Sequence, residues 1–212
     1  MLISLISTTT VLFISWKVFK KDQKNIEKIK TKMNWKNILI ITSIAACFYI
    51  IIEFSLTVMN IAKYFPSYEG MTLLFKNSNI ILLILYAVVI GPIVEELIFR
   101  GIVFNRLKEY NIKIWMAVII QAVIFGIEHL NILQSIYAIL VGILTAFIYQ
   151  KEKTILAPII IHMSYNLISV IIIQFANYEI PLPVFSVIFG LSVVSIIFLF
   201  SNYLKQKPLE NV

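Results

Sequence analysis

Seven long apolar segments dominate the sequence and restrict the folds that it can adopt. They cover approximately residues 2–17, 37–62, 79–104, 113–130, 133–150, 154–176 and 183–203. Each is close in length to the roughly 20 residues that an α-helix needs to cross a bilayer. The chain is 60% hydrophobic and 14% charged, whereas soluble domains are roughly 45–50% apolar and 25% charged. We therefore predict an all-α integral membrane protein, a bundle of about seven transmembrane helices.

The first apolar segment has the features of a retained membrane anchor. No basic region precedes it, no small-residue cleavage site lies before Lys17, and a basic loop follows it directly. A cleaved signal peptide normally has both a basic region before its apolar segment and a small-residue cleavage site after it. We therefore expect this segment to remain in the protein.

The basic residues lie almost entirely on one side of the predicted bundle. Sixteen of the eighteen lysines and arginines fall around residues 17–36, 100–113, 151–153 and 205–207, and the opposite side holds only Lys63 and Lys76. Such a bias marks the cytoplasmic face. We predict a multi-pass protein of a bacterial cell membrane, with its N-terminus outside and its C-terminus in the cytoplasm. The net charge of +7 then faces anionic lipid, so the bilayer is the expected partner and nucleic acid is not.

Three ionisable residues interrupt the third apolar segment. Glu95, Glu96 and Arg100 stand in the sequence Gly91-Pro92-Ile-Val-Glu-Glu-Leu-Ile-Phe-Arg-Gly. Each costs roughly 2.5–3.5 kcal/mol at membrane depth, so each needs a partner or a function. Glu96 and Arg100 can pair as i,i+4 neighbours, while Glu95 is turned about 100° away and is free to act as a general base or metal ligand. The alternative is an ion pair that only fixes helix packing. Gly91-Pro92 is expected to kink the helix and free backbone carbonyls.

Other polar residues lie in the remaining apolar segments. His129 and His162 are the chain's only histidines, and Asn166 follows His162 by one helical turn on the same face. Glu53 has no evident local partner, and it could face the site or make a polar contact between helices. Cys47 is the single cysteine, which excludes an intrachain disulfide and a cysteine-rich metal site.

This set of side chains is suited to hydrolysis. A carboxylate and an imidazole can take a proton from water, and further donors can hold the oxyanion that forms when the water attacks a carbonyl. One carboxylate and two imidazoles, those of Glu95, His129 and His162, could equally bind zinc or another divalent metal that activates the water. No His-Glu-x-x-His helix is present, so a metal would need ligands from three separate segments.

Three short motifs resemble those of a known family. They are Glu95-Glu96-x-x-x-Arg100, Phe125-x-x-x-His129 and His162-x-x-x-Asn166. In this order they resemble the signatures of the CAAX prenyl endopeptidase and bacteriocin-processing (CPBP, or Abi) intramembrane proteases. The resemblance covers roughly residues 79–175. It divides the chain into N-terminal helices with a basic loop at 1–78, a catalytic core at 79–176, and a C-terminal helix with a basic tail at 177–212.

The resemblance implies a helical bundle with an active-site cavity inside the membrane. It assigns the activation of water to Glu95 and His129, a supporting role to Glu96 and Arg100, and oxyanion stabilisation or metal binding to His162 and Asn166. The substrate would be a peptide or a membrane-tethered protein, cleaved near the membrane, with bacteriocin processing or self-immunity as possible roles. Both a metalloprotease and a metal-free glutamate mechanism are described for such proteins, and the sequence leaves both open.

The estimated depth of the motif residues in the membrane disagrees with a single site shared by all three motifs. At about 1.5 Å per residue, Glu95 and His162 lie at similar depth, but His129 lies roughly 10 Å nearer the outer face. Only a tilted or differently bounded helix would bring the three motifs together.

Two further classes of function remain open from the sequence. A non-catalytic immunity or scaffold protein could hold the same buried network for packing. A proton-coupled transporter could use intramembrane Glu and His residues, although the sequence has no matching halves with broken helices.

Overall fold

The fold is an array of α-helices. A computed structural model describes residues 2–22, 33–175 and 180–205, and it has helix and no strand within these ranges. The helices are α1 (Leu2–Asp22), α2 (Trp35–Val58), α3 (Pro66–Lys76), α4 (Ile80–Glu109), α5 (Ile114–Glu128), α6 (Ile132–Glu152), α7 (Leu156–Phe175) and α8 (Leu182–Lys205), with a 3-10 turn at Ile61–Tyr64. The prediction of an all-helical membrane bundle is confirmed.

Five of these helices are long and apolar enough to cross a bilayer, namely α2, α4, α6, α7 and α8. Helix α5 has 15 residues and is apolar but shorter. In α1, the side chains of residues 2–7 lie outside the described part of the chain. So do the basic residues within 23–32 and 206–212, and the orientation of the chain in the membrane stays a prediction.

Helix α3 was not predicted, because it lies between the second and third apolar segments. Pro66 stands at the first helical position, where a backbone N–H would have no acceptor within the helix, so its absence costs no hydrogen bond. The helix is 11 residues long, too short to show up as an apolar span. It packs against α7 and, as described below, forms part of a cavity wall.

Helix α4 passes through Pro92 as one continuous 30-residue helix. Its central turn, Gly91–Glu96, is α-helical, and π-helical segments flank it at Ile84–Ile90 and Leu97–Phe104. In a π-helix the N–H of residue i+5 bonds to the carbonyl of residue i, as Gly91 N–H does to Tyr86 O. In the same register the carbonyl of Ala87 would accept a hydrogen bond from the backbone N–H of residue 92. That residue is Pro92, which has no N–H to donate.

Helix α7 supplies the missing donor. Asn166 Nδ2 donates to Ala87 O at 2.8 Å. The expectation that a carbonyl freed near Pro92 must find a neighbour is therefore met by a side chain of α7. This bond ties the widened turn of α4 to the helix that carries the third motif.

Small residues allow close approach between the helices that carry the motifs. A Cβ on Gly126 of α5 would lie 2.8 Å from the backbone oxygen of Ser135 in α6. A Cβ on Gly142 of α6 would lie 3.1 Å from Ala122 of α5. Helix pairing inside a membrane depends on this kind of close packing, because lipid offers no hydrophobic driving force between helices.

Candidate active site

A cavity of about 510 Å³ lies inside the bundle and contains residues of all three motifs. Its wall is built from α1, α3, α4, α5, α6 and α7. The motif residues on this wall are Glu95, Phe125, His129, His162 and Asn166. The volume is in the range of small-ligand and peptide side-chain sites, roughly 300–1,000 Å³.

Behind the cavity wall, Glu96 and Arg100 form a buried ion pair. Nη1 of Arg100 donates to Oε1 of Glu96 at 3.0 Å, and both side chains are 0% exposed. This is the i,i+4 pair that the spacing predicted. The second guanidinium nitrogen, Nη2, donates to Gly142 O in α6 at 3.1 Å. The guanidinium also lies over the Phe125 ring, 4.7 Å from its centroid, so that α4, α5 and α6 all hold it.

His162 lies between the two glutamates. Its Nδ1 lies 2.8 Å from Oε1 of Glu96. An ionised carboxylate only accepts hydrogen bonds, so Nδ1 carries the proton, and Nε2 is the acceptor in the neutral ring. Nε2 faces Oε2 of Glu95 at 3.7 Å. This separation is too long for a direct hydrogen bond but allows a water molecule to contact both atoms.

Glu95 is the carboxylate that opens to the cavity. Its side chain is 26% exposed, compared with 0% for Glu96. Gly91 lies one turn earlier, and a Cβ there would come to 3.6 Å from Oε1 of Glu95 and 2.9 Å from Tyr86 O. The glycine therefore leaves space beside the carboxylate as well as permitting the tight backbone of the π segment.

His129 reaches the same cavity from the end of α5. Its Nδ1 lies 2.8 Å from Phe125 O, which orients the ring and leaves Nε2 for a ligand. The Phe125 ring meets both imidazoles edge to face, with centroid separations of 4.9 Å to His129 and 5.7 Å to His162. The Phe125 ring therefore contacts the histidines of both the second and the third motif.

The expected difference in depth does not separate the motifs. Helix α4 ends at Glu109 and not near residue 104, which places Glu95 fourteen residues from that end. His129 lies fifteen residues after the first residue of α5, Ile114. The two residues are level when each is counted from the connection between α4 and α5, and Glu95, His129 and His162 all line the same cavity, so the three motifs do meet.

Some of the roles that the resemblance gives to individual residues agree less well with this geometry than others. The imidazole beside Glu95 is that of His162, whereas His129 was expected to share the water with Glu95. One amide hydrogen of Asn166 is used on Ala87 O, so an oxyanion contact would need its other N–H. The role of each residue in catalysis remains a prediction.

The three candidate metal ligands do not form a metal-binding group. Within the described ranges, no cluster of three or more His, Cys, Asp or Glu side chains is arranged to hold a metal ion. The free Nε2 atoms of His129 and His162 would suit metal binding, but Glu95, His129 and His162 are not assembled around one point. The described residues, as arranged, therefore do not fit a bound metal ion.

Several residues of the cavity wall were not singled out from the sequence as site residues. They include Glu128, Gln134, Tyr137, Tyr165 and Tyr68. Glu128 precedes a motif histidine, and this adjacency could have drawn attention to it. Tyr68 could not have been found from the sequence, because it lies in α3, which the apolar pattern does not reveal.

Comparison with known proteins supports the family resemblance. Residues 77–168 match the family described as Type II CAAX prenyl endopeptidase Rce1-like. A 90-residue segment is 38% identical to YdiL of Bacillus subtilis, whose name describes a membrane peptidase, and covers 42% of this chain and 36% of YdiL. No solved structure matches the chain significantly.

Two other relatives extend the comparison. An uncharacterised 24.3 kDa protein of Escherichia coli is 30% identical over 46% of this chain and 48% of its own length. The membrane-embedded CAAX protease MroQ of Staphylococcus aureus is 25% identical over 82% of this chain and 72% of its own length. The chain spans about a third of YdiL and about half of the Escherichia coli protein. Residues 77–168 therefore match the Rce1-like CAAX prenyl endopeptidase family, which is the resemblance that the three motifs predicted.

Proposed function

We propose that the protein is an intramembrane endopeptidase that hydrolyses a peptide bond with a water molecule activated by Glu95. The observation that carries this proposal is the pair formed by Oε2 of Glu95 and Nε2 of His162, 3.7 Å apart on the cavity wall. Two acceptors at this spacing can hold one water between them. The names of the relatives YdiL and MroQ support a peptidase of this kind.

In the proposed reaction, Glu95 takes a proton from the bound water as the oxygen attacks the carbonyl carbon of the substrate. A carbon–oxygen bond forms, and the carbonyl electrons move to its oxygen. When the carbon–nitrogen bond breaks, Glu95 returns the proton to the leaving nitrogen. The carbonyl reforms as a carboxylic acid terminus and the nitrogen leaves as an amine terminus, the acid proton then moves to the amine to give carboxylate and ammonium, and Glu95 is left ionised for the next cycle.

The buried residues Glu96 and Arg100 orient this chemistry without touching the substrate. Glu96 holds the proton of His162 on Nδ1, which keeps Nε2 directed toward the water. Arg100 balances the charge of Glu96 and anchors it to α6. The imidazole of His129 is free at Nε2 to donate to the oxyanion once it is protonated there.

The proposed substrate is a membrane-associated protein or a short secreted peptide. The cavity lies in a bundle whose helices are apolar enough to span a bilayer, so its substrates should reach it from the membrane or its surface. A bacteriocin precursor is one such peptide, and self-immunity would follow from the degradation of the cell's own mature bacteriocin. This choice depends on the family resemblance.

The decisive experiment is cleavage of a quenched peptide library by the purified full-length protein in detergent or nanodiscs. Glu95→Gln should abolish cleavage while the protein remains inserted and folded. Glu109→Gln is a matched control, because Glu109 is an acidic residue of the same helix in a solvent-exposed pair with Arg106. Cleavage that survives in Glu95→Gln would overturn the mechanism.

The non-catalytic alternative makes a different prediction. If the protein acts as an immunity or scaffold protein, cells carrying Glu95→Gln should be protected from a bacteriocin as well as cells carrying the unmodified protein. Protection lost together with cleavage would support the endopeptidase.

A further inference from the structure

Helix α3 presents one of its faces to the catalytic cavity. Tyr68, Met71 and Phe75 recur at helical spacing along it, and all three line the cavity. Their side chains are half-buried. Leu73, on the opposite face of the helix, is 59% exposed. The helix therefore has an inner face that belongs to the cavity and an outer face that does not.

Two side chains from other helices hold α3 in this position. In its first turn, Nδ2 of Asn131 donates to Oγ of Ser67 at 3.3 Å, and Asn131 is the N-cap residue of α6. In its last turn, Nε2 of Gln174 in α7 donates to the backbone oxygen of Phe75. Because α3 is fixed at both ends, its inner face is a built part of the cavity wall.

The cavity wall is apolar where α3 packs against the second half of α7. Val170 and Ile173 of α7 line the cavity here, and Phe75 packs against the buried cluster that contains Val170. Met71 lies one helical turn before Phe75 on the same wall. We refer to Met71, Phe75, Val170 and Ile173 as the α3 pocket. All four residues lie outside residues 77–168, the segment that matches the Rce1-like family.

The spacing along α7 relates the α3 pocket to the site of cleavage. Val170 and Ile173 follow His162 by eight and eleven residues. At about 1.5 Å per residue, they lie about 12 and 16 Å along the helix axis from the histidine. An extended peptide advances about 3.3 Å per residue. A substrate side chain about four or five residues from the scissile bond would thus reach the α3 pocket.

The chemistry of the α3 pocket selects the side chain that it can bind. A thioether, an aromatic ring and two branched aliphatic side chains form it, and none of them offers a strong hydrogen-bond donor or acceptor. A charged or amide side chain would lose its hydrogen bonds to water there without gaining new ones. A large apolar side chain would gain by leaving water, and methionine adapts to both aliphatic and aromatic groups.

We propose that the α3 pocket is a specificity subsite that binds a large apolar side chain of the substrate, such as leucine or phenylalanine, about four or five residues from the scissile bond. The subsite rests on the proposed function for the meaning of the scissile bond, but binding of the side chain can be measured without cleavage. It gives α3 a role in choosing the substrate as well as in enclosing the cavity.

The test begins with a cleaved library peptide whose scissile bond is located by mass spectrometry. Fluorogenic versions of this peptide carry leucine, phenylalanine, alanine or serine at one position, about four or five residues to either side of the bond. At one of these positions the unmodified protein should cleave the leucine and phenylalanine peptides with a kcat/KM about tenfold or more above that of the serine peptide, the range expected for an apolar pocket. Met71→Gln should remove most of this preference. Equal cleavage at every position by the unmodified protein, or an unchanged preference in Met71→Gln, would overturn the proposal.

Leu73→Gln is the matched control, because it makes the same change from an apolar side chain to an amide on the exposed face of α3. It should leave the preference intact. Equal loss of the preference in Leu73→Gln and Met71→Gln would reject the pocket, since the helix as a whole or its contact with lipid would then set the preference.

Met71→Trp tests the α3 pocket in the opposite direction and serves if Met71→Gln fails to fold, as judged by gel filtration and thermal unfolding. The indole fills space in the pocket, so the alanine peptide should now be cleaved faster than the phenylalanine peptide. A preference for phenylalanine that survives in Met71→Trp would overturn the proposal.

A binding measurement distinguishes failure of the subsite from failure of the proposed function. Fluorescence anisotropy is measured on Glu95→Gln, with and without Met71→Gln, for labelled peptides in which a single leucine is moved along a sequence of alanine and serine. Tighter binding with leucine at one position that is lost with Met71→Gln, while the unmodified protein cleaves nothing, would keep the subsite and reject the endopeptidase. Cleavage without any preference for an apolar residue would do the reverse.

Discussion

Nδ1 of His162 lies 2.8 Å from Oε1 of Glu96, and the same carboxylate oxygen accepts from Nη1 of Arg100 at 3.0 Å. The two adjacent glutamates therefore have different surroundings. Glu96 points away from the cavity and orients the histidine, while Glu95 points into it. Their roles separate because neighbouring residues of a helix are turned about 100° from each other.

Replacement of Glu96 by glutamine should reduce both catalysis and stability. The amide can no longer hold the Nδ1 proton as a carboxylate does, so kcat should fall by about 10–100-fold, as for other residues that orient a catalytic or ligating histidine. Arg100 would also be left buried without a counter-ion, at a cost of about 3–5 kcal/mol. Steady-state kinetics and chemical unfolding measure the two effects.

Replacement of Arg100 by lysine tests the buried ion pair of Glu96 and Arg100 by changing the arginine. Lysine keeps the charge but cannot contact Glu96 and Gly142 O through two separate nitrogens on a planar group. If Arg100→Lys left kcat and the unfolding free energy unchanged, the orienting role given to the buried pair would be wrong.

Asn166 should be coupled energetically to Pro92. Its amide satisfies the Ala87 carbonyl, which the missing N–H of Pro92 leaves without a partner in the π register. Asn166→Ala should therefore destabilise the protein by about 1–3 kcal/mol, the cost of an unsatisfied buried polar group. Pro92→Ala restores an N–H at this point of the helix.

A double-mutant cycle on Asn166 and Pro92 measures this coupling. The loss caused by Asn166→Ala should be smaller in the Pro92→Ala background than in the unmodified protein, because the carbonyl then has a backbone donor. Additive losses would show that Asn166 does not act through Ala87. Unfolding in a mixed detergent titration gives the free energies.

The sequence predicted the helices and the motif residues but could not predict how the motifs meet. Apolar length and the i,i+4 spacing were sufficient for the buried ion pair of Glu96 and Arg100, because both features are local. The partnership of His162 with Glu96 and Glu95 could not be derived, since it joins residues 66 positions apart. The π segments of α4 escaped prediction because they lie within one continuous apolar helix, and α3 did so because its 11 residues are too few to form a membrane span.

Treatment with a metal chelator should leave peptidase activity unchanged. The described residues bring Glu95 and His162 together around a space for water, but no third ligand joins them in a metal-binding group. Activity measured after dialysis against 1,10-phenanthroline or EDTA, with metal content determined by mass spectrometry, checks this expectation. Activity that is lost on chelation and recovered with zinc would establish a metalloprotease and require Glu95, His129 and His162 to approach each other in the active protein.

Gly126→Ala should weaken both stability and activity, because it forces apart the two helices that hold the second motif and Gly142. A methyl group at this position would lie 2.5 Å from the Ile139 side chain and 2.8 Å from the Ser135 backbone oxygen. The backbone contact cannot be relieved by a rotamer change, so a loss of about 1–3 kcal/mol is expected. Because His129 follows three residues later on α5, kcat should fall as well.

Gly190→Ala is the matched control for this substitution. Nothing lies within 4 Å of a Cβ at Gly190 in α8, and alanine is the better helix former by up to about 1 kcal/mol. The control should therefore unfold at the same or a slightly higher denaturant concentration and retain full activity. If Gly126→Ala behaved like Gly190→Ala, the close packing of α5 on α6 would not be what sets the position of His129.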